Sequence, residues 1–380
     1  MTATFWENPY PTYHAIGSPL RWDADMGVWI VTGRQEATAI LRSPHVSSSW
    51  RLLSVRDHDE LLRRTLGGWF MLMDPPGHTR LRRAVQGWFT RRRVEALRSL
   101  LREDAEALIG SAGDPVDVMG DFAEPLGVRM ISRVLGVPVE ASAAAARLMS
   151  PIASFLAMPY HRGFEGRAAR ATAELRRMFH DSATELEPDG VLAALTGDPA
   201  FVETAMLLVF AGQETTAGLI GTGLVHLLRE PAAYRRLTGA TATVEKAVEE
   251  ILRYDTSVPQ VPRVATADLE VGGELIRAGD RIVVILGAAN RDGRVTPEPD
   301  RFDLDHPPSH LAFGTGLHHC LGAPVARMAA QEAVGAWVRL LPRACLVEGS
   351  VRWHADRGYR KLARALVMRA PQHLRQGAQP

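Results

Sequence analysis

The sequence predicts a mainly α protein with a minor β region. Three observations carry that expectation. Helical periodicity fills most of the chain: Thr79 to Gly110, Phe122 to Leu135, Ala141 to Glu187, the stretch 199–230, Ala242 to Tyr254 and Gly322 to Leu340. Strand-like pieces are few and short, at Gly27 to Thr32, Leu269 to Ile276 and Arg281 to Leu286. The balance of 46% hydrophobic and 23% charged residues is that of an ordinary globular chain, which excludes a disordered, collagenous or coiled-coil protein.

Each element has its own warrant. Arg34 to Leu41 reads as a helix stopped by Ser43-Pro44. Phe122 to Leu135 is stopped by Gly136-Val137-Pro138. Ala141 to Glu187 is alanine-rich, with breaks expected at Met158-Pro159 and Arg162-Gly163. Residues 188–199 read as a polar loop with one short apolar piece. Asp198-Pro199 predicts the start of a long helix, an acid at the N-cap and proline after it, running unbroken to Pro231. Ala242 to Tyr254 is amphipathic, with Val244, Ala247, Val248, Ile251 and Leu252 on one stripe. Leu269 to Ile276 predicts a hairpin around Gly272-Gly273, and the last forty residues read as strand-like and irregular. With no internal repeat or linker, the expected organisation is one domain over 1–380.

Composition narrows the function classes. Net charge is +1, from 44 basic and 43 acidic residues, so charge gives no argument for nucleic acid or an anionic membrane. Only Lys246 and Lys361 are lysines; every other basic side chain counted is arginine. Two cysteines, Cys320 and Cys345, do not make a disulfide scaffold. Cys345 reads as a packing residue. Residues 1–11 show no signal-peptide pattern, and the most apolar stretch, Ala205 to Leu228, is interrupted by Gln213, Glu214 and His226. The expectation is a cytoplasmic protein without a membrane span.

Five short stretches carry chemistry. Phe313 to Gly322 sets Cys320 after a glycine-rich turn and before a helix. Helix-start N–H groups there favour thiolate, and the glycines let a flat ligand approach. Alternatives are a buried packing cysteine, or zinc held with His318 and His319; the glycine pattern favours the first reading. Ala211-Gly212-Gln213-Glu214-Thr215-Thr216 puts a glycine, an acid and two hydroxyls mid-helix, where propensity disfavours them. A hydroxyl beside an acid can relay protons; the alternative is a hydroxyl bonded back to the preceding turn. Glu250 and Arg253 share a helix face, by itself the pattern of a surface ion pair. His78 and Arg82, in Asp74 to Arg83, share a face that either binds an anion or is a solvated basic surface. Arg263 follows Pro262, and Arg301-Phe302-Asp303 comes later.

In this order and spacing the set resembles a bacterial cytochrome P450. Phe313 to Gly322 matches the family's haem loop F-G-x-G-x-H-x-C-x-G, and Ala211 to Thr215 its A-G-x-E-T motif. Glu250 and Arg253 match E-x-x-R, and Asp74 to Arg82 match D-P-P-x-H-T-x-L-R, with Gly77 where glutamate is usual. Arg133 to Pro138 is similar to the family's R-x-L-G-x-P. The resemblance implies the P450 fold, a single triangular-prism domain, and haem b (heme b, iron protoporphyrin IX) as cofactor. Cys320 would be the axial thiolate. His78, Arg82, Arg263 and His318 would hold the propionates, with Phe313 shielding the sulfur and Ala211, Gly212, Gly314 and Gly322 against the cofactor. Glu250, Arg253 and Arg301 would lock a helix to the cysteine loop. Glu214 and Thr215 would deliver protons to dioxygen.

The activity implied is monooxygenation. One oxygen atom of O₂ enters a small-molecule or short-peptide substrate, as in tailoring of a natural product. Electrons would come from NAD(P)H through ferredoxin reductase and ferredoxin, with arginines 80, 83, 91, 92, 93 and 327 as a docking face. Oxidative coupling to a C–C or C–N bond is the second reading, and a haem protein without turnover the third; the Glu214–Thr215 pair argues against the third and against peroxide-driven chemistry. Pocket walls are expected from Trp50 to Trp69, near Phe155, at Val209, Phe210 and Ala211, at Val258 to Val261, and from His354 to Lys361. The chain is short for the family, and the missing length falls in the lid around Met158 to Pro199.

Overall fold

The computed structural model describes residues 3–53, 58–159, 161–181, 186–237, 241–306, 309–355 and 358–370. Helices dominate. The N-terminal third carries α1 (Ala3–Glu7), α2 (Tyr10–His14), α3 (Arg34–Arg42), α4 (Trp50–Leu53), α5 (Glu60–Gly67), α6 (Gly77–Gln86), α7 (Arg91–Ala96) and α8 (Arg98–Ser111). The middle carries α9 (Glu124–Leu135), α10 (Val139–Ala157), α11 (Arg162–Asp181), α12 (Phe201–Arg229) and α13 (Pro231–Arg236). Then follow α14 (Thr241–Tyr254), α15 (Leu286–Ala289) and α16 (Ala323–Leu340).

The minor β region is built from short strands. β1 (Leu20–Asp23), β2 (Val28–Val31), β3 (Val46–Ser47), β5 (Val261–Ala265) and β8 (Arg281–Val284) make a sheet ordered β1-β2-β8-β5-β3. Its β2–β8 pair is parallel, with Val31 opposite Val284; the other pairs are antiparallel. β6 (Leu269–Val271) and β7 (Glu274–Ile276) form the expected hairpin. β4 (Val116–Asp117), β9 (Cys345–Leu346) and β12 (Leu366–Met368) form a three-stranded sheet, and β10 (Arg352–Trp353) pairs with β11 (Leu362–Arg364).

α12 is the spine. Its 29 residues at 1.5 Å each give about 44 Å. It is apolar almost all round, as a helix buried on every side must be, and it packs against α9, α10, α14 and α16. A second, smaller core lies under the five-stranded sheet, around Trp29, Val31, Ile40, Ile276, Ile282 and Val284.

The structure differs from the sequence expectations at several boundaries. Thr79 to Gly110 is three helices, α6, α7 and α8, because the chain turns at Gly87 to Thr90 to bury Trp88, whose Nε1 donates to the Asp189 carbonyl at 2.7 Å. α9 is preceded by a wide π-turn over Val118–Ala123. Asp198 does not cap α12: its Oδ1 accepts from the Ala200 amide at 2.8 Å, and the helix starts at Phe201. Arg162-Gly163 opens α11 and does not break it. The strand expected through Leu286 stops at Val284, and Leu286 starts α15.

Candidate active site

The Cys320 loop, β5, α6 and the middle of α12 meet at one cavity of about 300 Å³. Cys320 faces it. The Cys320 amide donates to the Phe313 carbonyl at 2.9 Å, closing the loop. The amides of Gly322 and Ala323, at the start of α16, point at the sulfur. Burial pushes the thiol up; those amides and the Arg82 and Arg327 guanidiniums pull the other way. Gly314 and Gly316 both lie in the left-handed region, at φ 65° and 74°. At Gly316 a Cβ would also run into the Leu41 carbonyl oxygen, so glycine lets the loop seat on the end of α3. Arg42 Nε donates to Thr315 Oγ1 at 3.0 Å and fixes that contact. The Arg327 guanidinium lies 4.5 Å from the centre of the Phe313 ring, beside the cysteine.

Four cationic or basic side chains stand on the same cavity or against it. His78, on the first turn of α6, is 1% exposed, and neither ring nitrogen has a partner. Its ring lies 4.6 Å from that of His318. His318 Nε2 meets Ser48 Oγ at 2.9 Å, and burial, with Arg263, His78 and Arg82 adding to it, pushes His318 down to about 3. Arg82, one turn along from His78, gives one N–H to the His319 carbonyl at 2.8 Å. Arg263, on β5, bonds the carbonyl of its own neighbour Pro262, and burial pushes it down to about 10. The acid near them, Asp74, accepts from Ser47 Oγ at 2.5 Å. The cluster holds more positive charge than the protein answers. Arg82, Arg263 and His318 are half-buried and open to the cavity, and donors in that condition are arranged for anions.

α12 supplies the opposite wall. Ala211 is exposed although mid-helix, because it faces the cavity, and Thr215 lies one turn along on the same face. Thr215 Oγ1 donates back to the Ala211 carbonyl at 2.6 Å. A Cβ on Gly212 would sit 2.6 Å from Ile131 Cδ1, so this glycine lets α9 approach closely. Glu214 points away from Thr215. It is 4% exposed, and its Oε2 accepts from Lys361 Nζ at 3.4 Å. The rest of the wall is apolar: Met71, Met130, Ile131, Leu207, Phe210 and Val258 are among its residues.

Glu250 and Arg253 are buried, not a surface pair. Arg253 Nε and Nη2 each donate to the Glu250 carboxylate at 2.7 Å. Arg253 also donates to the carbonyls of Pro299 (2.7 Å) and Arg301 (2.9 Å). The third member is thus the Arg301 backbone: its side chain lies outside, 3.1 Å from Glu298. His306 Nδ1, at 3.2 Å, completes the shell around Glu250.

A cysteine sulfur and an under-neutralised cationic cluster on one cavity would fit a group that takes a thiolate ligand and carries anionic substituents. The chain's likeness to known proteins agrees. A family model described as Cytochrome P450 matches residues 194–339. Vitamin D(3) 25-hydroxylase of Pseudonocardia autotrophica is 33% identical over 362 residues, covering 92% of this chain and 90% of that protein. The chain belongs to the cytochrome P450 family. Cytochrome P450 monooxygenase PikC of Streptomyces venezuelae is 34% identical, covering 93% of this chain and 89% of that one. Among solved structures, P450BioI in complex with an acyl carrier protein carrying hexadec-9Z-enoic acid superposes with a TM-score of 0.90 at 27% identity, over 96% of this chain and 99% of that one. This P450 is therefore a haem-thiolate monooxygenase that works with a redox partner, and the non-turnover reading is set aside. Among the described residues no helix is long and apolar enough to cross a membrane.

The other site expectations divide. Phe210, Ala211, Val258, Val261 and Tyr359 line the cavity. Phe155 does not: it is fully buried against Trp50, at 6.3 Å between ring centres. Trp69 is fully buried too, 4.9 Å from the Phe210 ring, and braces the wall from behind. Val209 is core. Residues 54–57, 160, 182–185 and 356–357, parts of the expected walls and lid, lie outside the described residues. Of the docking arginines, Arg80 pairs with Asp198, Arg93 donates to Asp189 and Arg327 pairs with Glu249, leaving Arg83, Arg91 and Arg92 exposed. Sequence reasoning placed Lys361 at the end of an expected pocket wall but missed its pairing with Glu214 and missed Glu124, because these contacts are made only across the fold. The one signal for Lys361 was the scarcity of lysine, and Glu124 had none.

Proposed function

We propose that this P450 binds haem b through Cys320, with the propionates held by His78, Arg82, Arg263 and His318, and hydroxylates or epoxidises a neutral, largely apolar natural product. The observation that supports it is the under-neutralised cationic cluster on the same cavity as Cys320. Bound haem supplies the activation of dioxygen for transfer of one atom to substrate. The chain's own residues do the rest. The Met71, Met130, Ile131, Leu207, Phe210 and Val258 side chains orient an apolar substrate and exclude water. Thr215 and Glu214 furnish the hydroxyl and the acid for proton delivery, which requires Thr215 to release the Ala211 carbonyl. The apolar wall favours macrolide- or acyl-type molecules over peptides. P450BioI, whose fold this chain shares, was solved with hexadec-9Z-enoic acid on its acyl carrier protein, and a relative 34% identical over 86% of this chain is named mycinamicin IV hydroxylase/epoxidase. Exposed Arg83, Arg91 and Arg92 suit an acidic ferredoxin, charged in turn by its reductase.

The test is spectroscopic first. Purified protein should carry haem, and its reduced CO complex should absorb where thiolate-ligated haem does. Cys320→His should move that band to the position of imidazole-ligated haem; an unmoved band overturns the assignment. A panel of macrolactones, acyl chains and cyclic dipeptides, read by displacement of the Soret band, then sorts substrates. Thr215→Ala should keep haem and substrate binding while product formation falls about 10²- to 10⁴-fold and electrons drain to peroxide.

A further inference from the structure

Lys361 sits where a lysine is least expected. It is 2% exposed, in a chain whose other lysine is Lys246 and whose remaining basic residues are arginine. Its Nζ bridges two carboxylates: Glu214 Oε2 at 3.4 Å and Glu124 Oε1 at 2.6 Å. The two acids are unlike. The Glu214 side chain is 4% exposed, that of Glu124 40%. Glu124 opens α9, Lys361 precedes β11, and Glu214 lies mid-α12, so three elements bring one continuous polar contact from the interior to solvent. On the inner side Tyr359, which lines the cavity, has its hydroxyl pKa raised by burial and by the nearby Glu214 charge.

We propose that Lys361 is a relay residue: Glu214 is recharged with protons from water through Lys361 and Glu124, behind α12, and not through the substrate cavity. This rests on the reading of Glu214 as the proton-delivering acid. The steps balance. Once Glu214 has given up its proton, the Lys361 ammonium passes one to the Glu214 carboxylate and becomes a neutral amine. Glu124, protonated from water, returns a proton to that amine. One proton leaves water, one arrives at Glu214, and no charge is stranded. Choice of lysine is part of the argument: a guanidinium would make the same ion pairs but does not release its proton.

That difference supplies the experiment. In resting haem-loaded protein, a pH jump is followed by the infrared carboxyl band that vanishes in Glu214→Gln. Lys361→Arg keeps the charge, and should keep haem content and thermal midpoint, yet slow re-equilibration of the band at least tenfold. Glu124→Gln should slow it too, from the solvent side. During turnover both should divert electrons to peroxide. A Lys361→Arg band that re-equilibrates as fast as wild type overturns the relay; so does an unchanged rate in Glu124→Gln. Failure of the underlying reading looks different: Glu214→Gln would then retain normal coupling of electrons to product, whatever the infrared rates in the other variants.

Discussion

Two polar clusters in this molecule, one buried and one lining the cavity, are built on opposite accounts of charge. Around Glu250 and Asp255 every charge is answered. Arg253 closes on Glu250, and Asp255 receives Arg360 Nε at 2.9 Å, His226 Nε2 at 3.0 Å and the Tyr10 hydroxyl at 3.1 Å. Arg360 and His226 hold the Asp255 carboxyl far below the usual range although burial works against it. Around His78, Arg82, Arg263 and His318 the cations outnumber their partners, and burial pushes Arg263 and His318 down. Both clusters cost desolvation. The first recovers it inside the chain and is part of the fold; the second recovers it only when an anionic group arrives, and is a site.

Substitutions separate the two. Largest is Arg253→Ala, which leaves the buried Glu250 carboxylate without its cation. It should cost about 3–5 kcal/mol of stability, read as a lowered urea midpoint in the haem-free protein. Arg263→Leu should do the reverse: the haem-free protein stays at least as stable as wild type, while haem is lost about 10- to 100-fold faster, the equivalent of roughly 1.5–3 kcal/mol for hydrogen bonds to charge. Equal destabilisation by both variants would erase the distinction. Smallest is a pH effect at Glu249, whose carboxyl His310 and Arg327 hold down at about 2, from an ordinary 4.5, against the effect of burial. Its folded pKa is depressed, so its stabilisation is complete above pH 4.5 and is lost as pH falls toward 2. Glu249→Gln should therefore lower stability at pH 6 and flatten its decline on acidification, measured by urea midpoints from pH 6 to pH 3.

The parts of this site legible in sequence are those whose chemistry is local. Cys320 with its glycines, and Glu214-Thr215 in an apolar helix, violate local preference within a few residues, and so stand out. His78 and Arg82 share a face because a helix repeats every 3.6 residues. What pairing those residues enter is long-range and was not legible. On spacing alone Glu250 and Arg253 make a surface pair; only the family resemblance marks them as a lock, and the loop over Pro299 to Arg301 closes on them through its backbone carbonyls. Glu214 and Thr215, adjacent in sequence, are about 100° apart around the helix, so the structure sends one to Lys361 and the other to the cavity. Trp50, Trp69 and Phe155 read as pocket walls by type and place, but they are more fully satisfied packed in the core. The helix predicted through Thr79 to Gly110 has the right period; burying Trp88 outweighed continuing it.

The seating of Lys361 has a practical consequence for anyone handling this enzyme. An amine-directed reagent meets, besides the α-amine, one exposed lysine, Lys246 on α14. The native protein therefore offers its side-chain amines as a single attachment point, fit for one dye or one tether of known position. A second side-chain label can appear only after the packing over Lys361 has opened. Counting doubly labelled molecules by mass against time would thus clock the opening of the fold at the helix that carries Glu214.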